Sequence, residues 1–253
     1  MPEFPFKIEI CVENTDGLVA AQNAGADRAE LCASLLEGGL TPSWGMILEA
    51  RRVATIPFHV IVRPRGGDFL YTDIEYAAML ADVAAIRDLG DVAGVVIGCL
   101  TADGKIDETR TRALVEAAGA MAVTCHRAFD MTDDYAEAIE ALVRCGVTRV
   151  LTSGQHDTAV AGKDVLADTV RLAADRIAVM ACGELDADNI AEVRRAARPH
   201  EMHFAAGKLV PSGMTYRNPR VGMGGDDLDR EYTHTLTDEA AVRATCEAAR
   251  AAL

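Results

Sequence analysis

Short apolar runs recur along the chain, followed by a polar turn and an alanine-rich stretch of helical periodicity that a glycine closes at Gly25, Gly90, Gly119 and Gly146. The runs are KIEICVEN from Lys7, RAELC, FHVIVRP, AGVVIGCL, MAVTCHRAFD, TRVLTSG, RIAVMACG and EMHFAAG. Each is short enough for a strand and bounded by turn residues, and each is apolar on both faces except at isolated sites. Parallel strands covered by helices have that pattern. Between them, helices are expected over 15–24, from Pro42 to about Val53, from Thr72 to Gly90, from Asp107 to Gly119, and over 132–145, 165–174 and 186–197. A last helix is expected from about Thr237. Thr72 with Glu75 has capping-box spacing, and Asp107 reads as an N-cap. A long polar segment, 208–235, precedes the final helix. About eight strand–helix units at roughly thirty-residue spacing predict an α/β architecture, a TIM-type barrel of about eight parallel strands in one domain over 1–253. An open doubly wound sheet is the competitor, but no G-x-G-x-x-G follows the first strand.

The stretch from Arg28 to Ser43 concentrates the unusual features. Glu30 and Cys32 share one strand face. Glu37-Gly38-Gly39 suits a turn needing positive φ. Thr41-Pro42-Ser43 reads as a cap, a proline at the first helical position and a helix start. A carboxylate within an apolar strand needs water or a partner. In a barrel the outward face meets helices, so strand charges must point inward or stand at the C-terminal rim. Parity then groups Glu9, Cys11 and Glu13; His59, Ile61 and Arg63; Thr124 and His126; and places His203 on the eighth strand. Glu9 and Glu30 are expected to meet Arg63 and His126 in one network near the barrel top. The competing reading is a buried ion cluster that only fixes register. Rim loops add Arg65 and Asp68, Arg127 and Asp130, and Ser153 as ligand-binding candidates.

These residues support acid–base chemistry. Glu9 or Glu30 would be the base or acid, His126 the proton partner, and Arg63 and Arg65 the grip on an anionic group of a small polar or phosphorylated metabolite. A phosphate site is conceivable in the loops Cys182-Gly183-Glu184 and Ala206-Gly207-Lys208. A Schiff-base mechanism is disfavoured because Lys7, Lys105, Lys163 and Lys208 all lie outside mid-strand positions. Nearby arginines disfavour a divalent cation.

Cys11 and Cys32 each follow a glutamate by two residues on neighbouring strands. In register, their sulfurs could reach one ion, and two thiolates suit Cu(I). Neither has a C-x-x-C companion for zinc. Cys99, Cys125, Cys145, Cys182 and Cys246 are expected to fill the core. Composition narrows the partners. The 253 residues carry a net charge of −14, which argues against a nucleic-acid partner. No apolar run is long enough to span a bilayer. Seven cysteines without regular spacing, and no signal peptide, favour a cytoplasmic location.

The phrases IEICVEN, GADRAELC, EGGLTPSWG, IVRPRGGDF, TCHRAFD and RVLTSG closely resemble the CutC family, and Tyr216, Arg217 and Asn218 continue the likeness. The resemblance implies an α/β barrel in the cytoplasm, self-associating as a dimer or tetramer, with a role in copper homeostasis. It also implies Cu(I) binding by the cysteine pair, which falls on Cys11 and Cys32 here. The family's polar barrel mouth looks like an enzyme site, so the copper and enzyme readings both stay open. Cys125 stands where relatives often carry phenylalanine. Cys182-Gly183-Glu184 replaces a G-A-G-like loop, which weakens the phosphate expectation.

Overall fold

The computed structural model describes residues 4–222 and 231–252. Eight strands close into a parallel barrel in chain order: β1 (Lys7–Val12), β2 (Arg28–Leu31), β3 (Phe58–Ile61), β4 (Gly94–Ile97), β5 (Ala122–Cys125), β6 (Arg149–Thr152), β7 (Ala178–Ala181) and β8 (Glu201–Phe204). The ring closes where β8 pairs with β1. Around it run α1 (Thr15–Asn23), α2 (Trp44–Val53), α3 (Asp73–Leu89), α4 (Glu108–Ala118), α5 (Tyr135–Cys145), α6 (Lys163–Ala173), α7 (Ile190–Ala197) and α8 (Glu239–Arg250). The expected TIM barrel is therefore what forms. No described helix is long and apolar enough to cross a membrane.

Outward strand residues Ile8, Ile10, Leu31, Val60, Val95 and Ile97 form one apolar layer with Leu18, Ile47, Met79 and Val83 of the helices. Each such side chain contributes roughly 1.5–3 kcal/mol by leaving water. That layer holds the barrel closed, and the inner face is left free for polar groups.

Local chemistry sets the helix starts. Thr72 and Glu75 form the reciprocal capping box, and Asp107 accepts from the Arg110 amide. Several starts differ from expectation, and α6 opens at Lys163 rather than Val165. Ser43, not Thr41, caps α2, accepting from the Met46 amide. The Thr41 hydroxyl instead accepts from the Arg63 amide at 2.9 Å and so ties its loop to the end of β3. Residues 127–131 wind into a 3-10 turn, and Asp134 starts α5 by accepting from the Ala136 and Glu137 amides. The Asp186 carboxylate accepts from the Asp188 and Asn189 amides, a turn that delays α7 to Ile190.

The polar segment 208–235 contains a feature its composition hides. Strands β9 (Gly207–Pro211) and β10 (Thr233–Thr237) pair antiparallel outside the barrel. Within the described part of that segment, Arg217 stacks 4.4 Å over the Tyr232 ring.

Candidate functional site

The barrel interior is built in tiers, and strand register assigns residues to each. At the bottom, Arg28 pairs with both Glu9 and Glu201. Arg149 grips Glu201 through two bonds of 2.7 and 2.9 Å and reaches the Thr124 hydroxyl at 3.2 Å. All four charges are buried. Two positives balance two negatives, which is how the desolvation is offset.

The middle tier hangs from Glu9. Its second oxygen meets His203 Nδ1 at 2.8 Å, and His59 Nδ1 stands 3.8 Å from the carboxylate. Burial opposes the Glu9 charge, but Arg28 and the His203 hydrogen bond overcome it and hold the carboxyl well below its ordinary range. Burial also works against charge on His203, yet its bond to Glu9 and the nearby Glu30 raise it above the ordinary value. Glu9 therefore orients and electrostatically supports His203.

The top tier faces a cavity of about 540 Å³ at the C-terminal mouth. Cys11 Sγ donates to Glu30 at 3.1 Å and lies 3.5 Å from Cys32 Sγ. His203 Nε2 stands 3.7 Å from Glu30. Ligand atoms of Cys11, Glu30 and His203 all lie within 4.8 Å of one another. Burial, partly countered by His203, raises the Glu30 carboxyl above its ordinary value. The hydrogen bond to Cys32, then burial and the Glu30 charge, push the Cys11 thiol well up.

On the opposite wall stand Arg63 and His126. Arg63 donates to the carbonyls of Gly39 and Gly67 at 3.1 and 2.9 Å, and to that of Glu37. Gly38 and Gly39, at φ of 82° and 91°, make the turn that presents two of these carbonyls' residues to it. The His126 ring accepts from the Ala128 amide at 3.1 Å, capping the 3-10 turn. Its other nitrogen, Nε2, is buried without a hydrogen-bond partner among the described residues. The Phe69 ring lies against both, 5.1 Å from the Arg63 guanidinium and 4.9 Å from the His126 ring.

The expected residues are thus brought to one barrel end but paired differently. Glu30, Arg63, His126 and Cys11 line the cavity. Glu9 lies beneath it, its partners Arg28 and His203 rather than Arg63 and His126. Cys32 sits behind Cys11, donating to the Val12 carbonyl at 3.5 Å. Arg65 turns away to Glu75 and Asp68, at 2.7 and 3.0 Å. Asp68, Arg127 and Asp130 reach the wall. Asp130 is a hub that accepts from the Ser153 amide and hydroxyl, the Gln155 amide and Arg127. Ser153 also accepts from Arg127 at 2.7 Å. The loops after β7 and β8, named above as a conceivable phosphate site, are tied into neighbouring backbone. The Gly183 carbonyl is taken by the Ala159 amide, and Gly207 opens β9.

Sequence reasoning passed over Arg28, Arg149 and Glu201 as network members, left His203 without a role, and took Cys182 as filler although it lines the cavity. Parity could have found the first three, since each lies two residues before an inward position on its strand. Two glycines were also unassigned. An added Cβ at Gly94 would come 2.7 Å from His59 Nε2, and one at Gly98 would run into the His126 ring. Gly94, which also lies against the Ala122 carbonyl, and Gly98 just past β4 thus leave room for two imidazoles. Gly98→Ala is expected to destabilise the fold by about 1–3 kcal/mol, read from the urea midpoint. An unchanged midpoint would show that the ring can move freely.

The sequence profile of the CutC family matches residues 6–208. A Mesorhizobium japonicum protein described as family protein CutC is 68% identical over 244 residues, covering 96% of this chain and 94% of the relative. A Bacteroides fragilis protein of the same description is 42% identical, covering 98% and 99%. Among solved structures, a Streptococcus agalactiae protein provisionally described as copper homeostasis protein CutC superposes with a TM-score of 0.74 at 31% identity, over 78% of this chain and 97% of its own. A Thermotoga maritima phosphoribosylanthranilate isomerase shares the fold alone, with a TM-score of 0.59 at 10% identity over 97% and 99%. Profile, identity and barrel agree: the chain belongs to the CutC family.

Proposed function

We propose that this chain serves copper homeostasis in the cytoplasm, as a homo-oligomer, by taking Cu(I) as cargo on Cys11 and Cys32. The observation that carries this reading is the pair of unlinked sulfurs 3.5 Å apart beside the cavity floor. Soft, polarizable sulfur donors suit Cu(I) above harder cations. Binding would displace the thiol protons. The description of the S. agalactiae relative supports the same cargo. Anaerobic titration against a bicinchoninate competitor tests it. Wild type should take one Cu(I) per chain, and Cys11→Ser/Cys32→Ser should bind it weaker by a factor of about 100 or more. Equal affinity in the double variant would end the reading.

One observation favours a second reading, an enzyme acting on a small polar metabolite. A cavity of about 540 Å³ is far larger than an ion needs. Glu30, its carboxyl raised by burial, stands at the floor as acid or base, and Arg63 and His126 face it across the space. Glu9 would act through His203 as a positioning residue.

A further inference from the structure

We propose that the wall formed by Arg63 and His126 is a receptor for a small organic carboxylate with an apolar body. This rests on the second reading only in taking the cavity for a ligand site; it requires neither turnover nor copper.

The argument starts from donors without acceptors. His126 accepts from the Ala128 amide through Nδ1, so a neutral ring must carry its proton on Nε2. Burial and the Arg63 charge lower this histidine to about 3, which keeps the ring neutral near pH 7. His126 thus holds a buried Nε2–H donor with no acceptor among the described residues. Such a vacancy costs free energy unless a ligand fills it.

Arg63 supplies the charge. It is buried, and its guanidinium is held by backbone carbonyls, with no carboxylate partner among the described residues. Its Nε also makes no hydrogen bond among the described residues, and the Tyr71 hydroxyl stands close enough to Arg63 to interact with it. Every other deeply buried arginine of the barrel interior, Arg28 and Arg149, has a glutamate. A buried guanidinium that lacks a counter-charge is built for an incoming anion.

The surroundings choose the anion. Glu37, Asp68 and Asp130 border the same space and repel a dianion, so the single charge of Arg63 on this wall suits a carboxylate better than a phosphate monoester. The rest of the wall is apolar: Leu35, Ile61, Phe69, Met131, Leu151 and Ala205. A ligand that is anionic at one end and apolar along its body satisfies both surfaces.

Calorimetric titration of the full chain with phenylacetate, phenylacetamide and inorganic phosphate tests this. Phenylacetate should bind saturably with one site per chain, and the isosteric amide at least about tenfold weaker. His126→Asn keeps an acceptor for the Ala128 amide and removes the Nε2–H. It should weaken phenylacetate about tenfold while Cu(I) binding holds. Arg63→Met should weaken it further. Equal affinity for acid and amide in wild type, tighter binding of phosphate, or wild-type affinity in both variants would overturn the proposal. The acid–amide comparison needs no variant, so a folding defect cannot obscure it. Absence of phenylacetate binding with Cu(I) uptake intact would sink this inference and leave the copper reading standing. Turnover of a neutral metabolite would sink it and leave the enzyme reading standing.

Discussion

Arg28→Met is expected to cost about 3–5 kcal/mol of folding stability, the largest effect of any single substitution in the barrel interior. Arg28 is the common partner of Glu9 and Glu201, and all three are buried. Methionine fills similar space and would meet Met180, whose sulfur already touches the guanidinium at 3.4 Å. The loss is therefore one of charge rather than of packing. Glu201 would keep its two bonds from Arg149, but Glu9 would keep only His203, with His59 farther off at 3.8 Å. The Glu9 charge, held well below its ordinary pKa chiefly by Arg28 against the opposing pull of burial, would have to be neutralised or stay uncompensated. Adding Glu9→Gln should restore part of the loss, because it removes the stranded charge. Urea unfolding at pH 7 reads both. A single-variant loss below about 1 kcal/mol would show that solvent or rearrangement replaces the arginine.

Acid should destabilise this protein from about pH 6.5 downward, before carboxylates titrate. Burial lowers His59 from its ordinary value of 6.5 to about 3, with Glu9 opposing, and burial with Arg63 does the same for His126. The unfolded chain then binds two protons below pH 6.5 that the folded chain refuses. Stability from these groups is present above the unfolded value and is lost as pH falls toward about 3. From pH 7 to pH 5 the loss comes to about 2 kcal/mol for each histidine. His203, raised by Glu9 and Glu30 despite burial, works in the opposite direction and offsets part of it. Urea midpoints at pH 7, 6 and 5 should fall steadily. His59→Gln or His126→Gln should flatten the slope even where it lowers stability at pH 7. A flat profile in wild type would mean that both rings protonate freely in the folded state.

The barrel was legible because its outward residues obey one rule. Ile8, Ile10, Leu31, Val60 and Val95 alternate with inward positions, and Gly25, Gly90, Gly119 and Gly146 mark the return after α1, α3, α4 and α5. The cysteine pair was legible for a related reason. Cys11 pairs in register with Glu30, so a shared offset in two neighbouring strands becomes a contact. Pairing across the ring was not legible. His203 lies 194 residues from Glu9, and only closure of β8 on β1 makes them partners. Arg28, Arg149 and Glu201 open their strands, where a charge reads as part of a loop until parity is carried back one more step. Arg65 was drawn away by Glu75 in the first turn of α3, a partner already needed for the capping box. The β9–β10 ribbon escaped notice because it lies exposed and polar residues alternate with nothing buried.

The balanced quartet of Glu9, Arg28, Arg149 and Glu201 makes the barrel blind at its lower end. A molecule that approaches the Cys11 sulfur through the upper cavity therefore enters and leaves at the same rim, beside the largely exposed Met131. Arrival and departure must alternate there, and an outgoing molecule stands in the path of the next.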